Sequence, residues 1–340
     1  MNGVFNYSNP RTIHWGAGSV AHLESELTRL SIERIALITT RSLLSSQDRI
    51  PARPVATAVI AQHAPMSQID AGVEEASSAR ADGIVSFGGG SAVDAAKIIS
   101  IRLADGGGRA LPHLAIPTTL SVAELAAGAG FTNEGGDKAG MRDPRLLVET
   151  VIYDAELTMA TPMDLWLSTG VRALDHAVEG FLADGEHPFN DVMALEGIRR
   201  LFESLPRAKA APEDVGVRTE NQLAAWFSFT LPGASASGLS HTMGKQIGAR
   251  HGIPHGVTSC LLLPHVVRYL ERRMPERVEL LAQATGADPA GNIGGLIESL
   301  GLPQHVAAYG IGEPELRKAA GELAGKYPAE DLLGIYLAAL

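Results

Sequence analysis

The sequence predicts an α/β domain followed by an all-helical one. Short apolar strand patterns alternate with helical patterns over about 120 residues, which indicates a mainly parallel sheet with crossover helices. Strand patterns then disappear after Asp154, and long helical periodicity takes over. Between them stands Gly83-Ile84-Val85-Ser86-Phe87-Gly88-Gly89-Gly90-Ser91, an apolar strand running through three glycines into a helix. The expected domains are residues 1–154 and 155–340.

Taken in order, Ile13-His14-Trp15 reads as a strand that ends in the turn Gly16-Ala17-Gly18-Ser19, with a helix from about Val20 to Leu30. Ile35 to Thr40 is a buried strand, and Arg41 opens the next turn. Val55 to Ile60 is another strand, and Ile69 to Arg80 a helix. After the strand of Ile84, Val85 and Phe87, Gly88, Gly89 and Gly90 leave the backbone amides bare. Ser91 suits a helix cap, with Asp94 three residues on as in a capping box. A helix start of this kind attracts anions, phosphate above all. Taken alone, the stretch also fits an ordinary strand-to-helix turn. His113 to Thr119 is a strand that ends in the hydroxyls of Thr118 and Thr119. Ligands of such sheets bind beyond the carboxyl ends of strands, where Arg41, Gly88 to Ser91, Thr118 and Thr119 fall. Asn133-Glu134-Gly135-Gly136 predicts a hairpin within Gly130 to Lys138, and Leu146 to Tyr153 a last strand. Beyond it, Met193 to Leu201, Arg218 to Phe229 and Val278 to Ala284 are predicted helices.

At 340 residues, 45% apolar and 19% charged, the chain has enough material for two domains with a substantial core. Its net charge of −10, with no basic cluster, argues against nucleic acid and anionic membrane surfaces. The single cysteine, Cys260, excludes an intramolecular disulfide and fits a reducing compartment. Its apolar setting, Val257 to Leu263, predicts burial. Met1 to Tyr7 has no signal-peptide pattern, and no apolar run reaches spanning length, so the expectation is a cytoplasmic protein.

Three histidines stand among small residues in the second half. On the helix expected over Leu165 to Glu179, Arg172 and His176 are four apart and share a face. His241 and Lys245 are likewise one turn apart, and His255 opens a further segment after Pro254. Neutral imidazoles so grouped suit zinc or iron. Each also fits a structural histidine.

In order and spacing, several runs together resemble the group III, iron-containing alcohol dehydrogenases over nearly the whole chain. They are Gly88-Gly89-Gly90-Ser91 with Asp94 and Lys97, Ile116-Pro117-Thr118-Thr119, Lys138 to Arg145, Val151-Ile152-Tyr153-Asp154, His176, His241 with His255, and Leu263-Pro264-His265. Lys138 to Arg145 and the Val151 strand lean toward the maleylacetate reductases of that superfamily. The resemblance implies a dehydroquinate synthase-like dinucleotide-binding domain. Gly88, Gly89, Gly90, Ser91 and Asp94 would serve the pyrophosphate of NADH or NADPH, Thr118 and Thr119 would line the cofactor, and Lys138 would lie close to it. It also implies a homodimer. Metal-dependent members use one Asp and three His, and His176, His241 and His255 match the histidines.

The Asp position is Arg172 here, and Lys245 replaces a further histidine. A guanidinium cannot ligate a metal, and Asp175 points about 100° away from His176 on a helix. No catalytic metal is therefore expected, as maleylacetate reductases are thought to work without one; if one binds, His176, His241 and His255 would hold it. Arg172 and Lys245 would instead present cations to a small anionic substrate. His241, His255 or Lys245 would stabilise an enolate oxygen or supply a proton. Arg172 alternatively pairs with Asp175 or Glu179 as a structural replacement for the metal.

The expected reaction is NAD(P)H-dependent reduction of maleylacetate to 3-oxoadipate, in aromatic-compound breakdown. The alternative is another small aldehyde or ketone, with or without a metal. Arg41, where relatives often carry an acid, leaves room for the extra phosphate of NADPH. Leu120-Ser121-Val122-Ala123-Glu124 departs from the smaller run of relatives and would reshape the nicotinamide pocket.

Overall fold

The structure, a computed structural model, describes residues 12–104, 110–185, 187–229 and 238–340. These residues divide into two compact units.

The first unit is built on a six-stranded sheet. Its strands are β1 (Thr12–Trp15), β2 (Ile35–Thr39), β3 (Ala56–Val59), β4 (Gly83–Gly88), β5 (His113–Pro117) and, later in the chain, Thr150–Tyr153. A two-stranded antiparallel hairpin of β6 (Gly128–Thr132) and β7 (Lys138–Arg142) precedes that last strand, β8. The sheet order is β1-β8-β5-β4-β2-β3, with every pairing parallel. Its central strands are buried on both faces, which is why they read as unbroken apolar runs. Ala36, Ile38 and Ile84 face one core with Ile69 of α2 (Met66–Ser78) and Ile99 of α3 (Gly90–Arg102). The alternate residues Leu37, Val85 and Phe87 face the other, with Leu23 packed among them. The hairpin turns where expected, with Asn133 donating to the Asp137 carbonyl at 2.9 Å and Gly136 at φ +84°.

Three local expectations are corrected. The helix expected from Val20 starts as a tight 3-10 turn, Ser19–His22, and becomes α-helical only over Leu23–Arg29. The strand expected from Leu146 begins at Thr150, because the Asp143 carboxylate accepts the Arg145 amide and caps a 3-10 turn over Pro144–Leu146. Ser91 does not cap α3; its N-cap is Gly89, with no side-chain cap bond.

The units part between Pro162 and Met163, beyond the Asp154 expected from sequence. Asp154 accepts the Gly18 and Val20 amides and caps the turn Ala155–Thr158, while the Thr161 hydroxyl donates to the Thr118 carbonyl at 2.8 Å. These bonds keep the residues after Asp154 with the sheet. Glu213–Gln222 also groups with it.

The second unit holds Met163–Pro212 and Leu223–Leu340. After β8 the described residues contain no strand. The helix Met163–Phe181, α4 when Leu23–Arg29 is counted as α1, is the centre: every residue from Trp166 to Phe181 is buried. α5 (Pro188–Ala210), α7 (Leu239–His251) and α8 (His255–Glu271) pack on it, and α6 (Val215–Ser228) lies between α5 and α7 in sequence. α9 (Pro275–Thr285), α10 (Pro289–Ser299), α11 (Glu313–Leu323) and α12 (Ala329–Ala338) complete the unit. Among the described residues no helix is long and apolar enough to cross a membrane.

Candidate active site

The expected site residues fall into two clusters, one in each unit. In the sheet unit, the chain runs outward from β2 to β3 and returns on the other side of β2 as β4. The carboxyl ends of β2 and β4 therefore border the switch point at which open sheets take ligands. Arg41 lies just past β2 and is exposed.

Past β4, Gly88 leads through Gly89 into α3, whose first amides lack intrahelical carbonyls. The turn is packed against the segment that follows β5. A Cβ on Gly89 would stand 2.9 Å from Thr119 Cγ2, and one on Gly90 3.1 Å from Ser121 Oγ. Thr118 donates its amide to the Gly88 carbonyl at 3.0 Å, and both Thr118 and Thr119 are buried. The glycines are thus needed for this close packing as well as for bare amides. Ser91 and Asp94 are engaged elsewhere: the Ser91 hydroxyl accepts the His63 amide at 2.9 Å, and Asp94 accepts the Gly130 amide at 3.0 Å. They tie the helix start to the loop after β3 and to the hairpin. Lys138 is exposed at the start of β7 and close enough to help burial hold His63 below its ordinary pKa.

Sequence reasoning missed what supports this turn. Lys97 is fully buried and donates to the carbonyls of Ala123 (2.5 Å), Ala126 (2.7 Å) and Gly128 (2.9 Å). Glu124, in the same segment, is pushed up to about 7 by burial and accepts the Tyr153 hydroxyl at 2.8 Å. The apolar context of a lone lysine on α3 was the available signal.

In the helical unit, Arg172, His176 and Glu179 form a stripe along α4. Arg172 is 3% exposed. Its Nη1 donates to Ser259 Oγ at 3.0 Å and lies 3.5 Å from Asp175 Oδ2. Its Nη2 lies against the nitrogens of His241, 2.7 Å from Nε2, and donates to His255 Nε2 at 3.1 Å. Asp175 is in turn held by the hydroxyls of Ser259 (2.6 Å) and Ser240 (3.1 Å). The ring centroids of His176 and His241 are 5.3 Å apart, and those of His241 and His255 5.4 Å. Burial, then the Arg172 charge, drives His176 and His241 far below their ordinary range, so both are neutral. Since His255 Nε2 accepts from Arg172, a neutral His255 carries its proton on Nδ1. Glu179 is pushed well above the carboxylate range by burial and by the neighbouring Asp175 charge.

Arg172, His176, His241 and His255 are thus brought together. Lys245, one turn from His241, is exposed, and its charge helps to lower His176 and His241. The expected structural pairing of Arg172 with Asp175 is present. This donor set does not fit a metal. The guanidinium donates to the nitrogens that a cation would need, and no three His, Cys, Asp or Glu converge on a metal position among the described residues.

Residues 10–155 match the family profile "iron-containing alcohol dehydrogenase", and residues 166–326 match "Fe-containing alcohol dehydrogenase family, C-terminal". Maleylacetate reductase of Rhizobium sp. (strain MTP-10005) is 33% identical over 324 residues, 94% of this chain and 90% of that protein. The crystal structure of maleylacetate reductase from Agrobacterium tumefaciens superposes with a TM-score of 0.91 at 30% identity, over 100% of this chain and 99% of that one. An iron-containing alcohol dehydrogenase from Corynebacterium glutamicum superposes with a TM-score of 0.90 at 28% identity, over 100% and 98%.

Proposed function

The chain belongs to the iron-containing alcohol dehydrogenase family and is an oxidoreductase; from that premise we propose that it reduces maleylacetate to 3-oxoadipate with NADH or NADPH and without a catalytic metal. The observation that carries the reading is Arg172, whose guanidinium lies on His241 and His255. Maleylacetate carries two carboxylates and a ketone conjugated to a carbon–carbon double bond. The nicotinamide of a dinucleotide held at the start of α3 would supply a hydride to the alkene carbon remote from the ketone. The π electrons move to the ketone oxygen as an enolate, and a proton at the neighbouring carbon completes 3-oxoadipate and NAD(P)⁺.

In this reading Arg172 sets His241 and His255 beside the enolate oxygen, and His255, whose Nε2 accepts from Arg172, donates to it from Nδ1. Lys245 supplies the proton and, with Arg172, the positive field that draws a dianion. Gly88, Gly89, Gly90 and Ser91 hold the pyrophosphate at the start of α3, with Thr118, Thr119 and Lys138 beside the cofactor and Asp94 fixing the helix against the hairpin. Arg41 accommodates the 2′-phosphate of NADPH. The same reading makes the protein a cytoplasmic homodimer that acts in aromatic-compound breakdown.

The test follows NADH and NADPH oxidation with fresh maleylacetate, before and after chelation. Turnover that survives chelation is expected. No turnover with either dinucleotide refutes the substrate. Loss on chelation, restored by iron or zinc, refutes the metal-free chemistry.

A further inference from the structure

His241 is gripped from two sides by one helix. Arg172 lies on its imidazole. Two turns further along α4, Glu179 takes its backbone: Oε1 accepts the His241 amide at 3.2 Å and Oε2 accepts the Gly238 amide at 3.1 Å. Gly238 is the N-cap of α7 and has no side chain with which to cap it. His241 is the third helical residue, so its amide is one of those that a helix leaves without a carbonyl partner. A side chain from the N-cap residue ordinarily fills that need. Here a carboxyl from a different helix fills it, 62 residues away in sequence.

The fit is close. A Cβ on Gly238 would stand 2.4 Å from Glu179 Cδ, so the absence of a side chain there is what admits the carboxyl. Glu179 is 8% exposed and His241 7%, so water is a poor substitute for either bond. Ser240, between those two residues, also turns its backbone amide to Glu179 and gives its hydroxyl to Asp175.

We propose that Glu179 is a positioning residue: by capping α7 from α4 it sets where the His241 imidazole stands relative to Arg172 and His255. It does not touch the reacting atoms. The proposal rests on the reading of His241 as a group that acts on the substrate. Both oxygens of the Glu179 carboxyl keep a lone pair whether or not the group carries a proton, so each accepts one amide. A glutamine offers one acceptor and turns an N–H₂ against the other amide, and an alanine offers none.

The test compares His241→Ala, Glu179→Gln, Glu179→Ala and Gly238→Ala in the full-length protein. It measures kcat and KM for maleylacetate, Kd for NADH by fluorescence, and the folded fraction by near-ultraviolet circular dichroism. The expected order of kcat per folded enzyme is wild type, then Glu179→Gln, then Glu179→Ala and Gly238→Ala together, with the last pair down about 100-fold, the effect of a small misplacement of a catalytic group. The Kd for NADH should stay within twofold. Gly238→Ala keeps the carboxyl but denies it its place, so it reports on position even where Glu179→Ala folds poorly. If His241→Ala lowers kcat while all three other variants stay within twofold of wild type, the proposal is overturned and the reading of His241 stands. A change in KM alone also overturns it. If His241→Ala has no effect on kcat, the reading of the site fails first, and the positioning role falls with it.

Discussion

Replacing Arg172 by methionine removes a buried charge and leaves its partners in place. Asp175 would keep only the Ser240 and Ser259 hydroxyls on Oδ2, and its buried Oδ1 already has no partner. Methionine fills much of the arginine's volume, so the cavity contribution is small and the stranded carboxylate dominates. Breaking a buried pair by removing one member costs about 3–5 kcal/mol. In a cooperative unit of this size that lowers Tm by roughly 6–20 °C. Asp175→Asn strands Arg172 instead and should cost a similar amount. The double variant removes both charges, so its loss should fall short of the sum by about 2 kcal/mol.

The pH dependence has a definite sign. Burial raises the Asp175 pKa in the folded state, and loss of Arg172 raises it further. Such a group contributes stability below its unfolded pKa and loses it as pH rises through the folded value. The Arg172→Met deficit should therefore shrink between pH 7 and pH 5. Urea unfolding of the four proteins at both pH values provides the measurement. A deficit below about 1 kcal/mol, additive losses, or a deficit that grows on acidification would refute the reasoning.

Two further outcomes follow from the sheet unit. Gly89→Ala drives a Cβ to 2.9 Å from Thr119 Cγ2, so Thr119 or the turn must move; NADH affinity should fall about tenfold by fluorescence titration, with the melting temperature little changed. Glu124 is raised to about 7 from 4.5, so its contribution to stability is full below 4.5 and is lost as pH rises through 7. Glu124→Gln should flatten that decline by on the order of 2–3 kcal/mol between pH 5 and pH 8, read from urea midpoints across that range.

Much of the sheet was legible because β2, β4 and β5 are buried on both faces, and such strands carry their signal in consecutive residues. The glycine turn, the hairpin and the helical second half were legible for the same local reason. Where a partner is distant in sequence, the reading fails. Ser91 and Asp94 have the spacing of a capping box, yet one serves the loop after β3 and the other the hairpin, 28 and 36 residues away. Lys97 caging three carbonyls, and Glu179 capping a helix, depend on tertiary packing that no periodicity encodes. Helical spacing placed Lys245 on the His241 side but could not tell that its side chain is exposed. For Arg172 both local readings, a cation beside histidines and a partner for Asp175, hold together.

The positive charge among the imidazoles is part of the polypeptide. It arrives with translation, needs no chaperone or insertion machinery, and does not exchange with the surrounding solution. The guanidinium that lies on His241 and His255 is thus in place from the first folded copy onward.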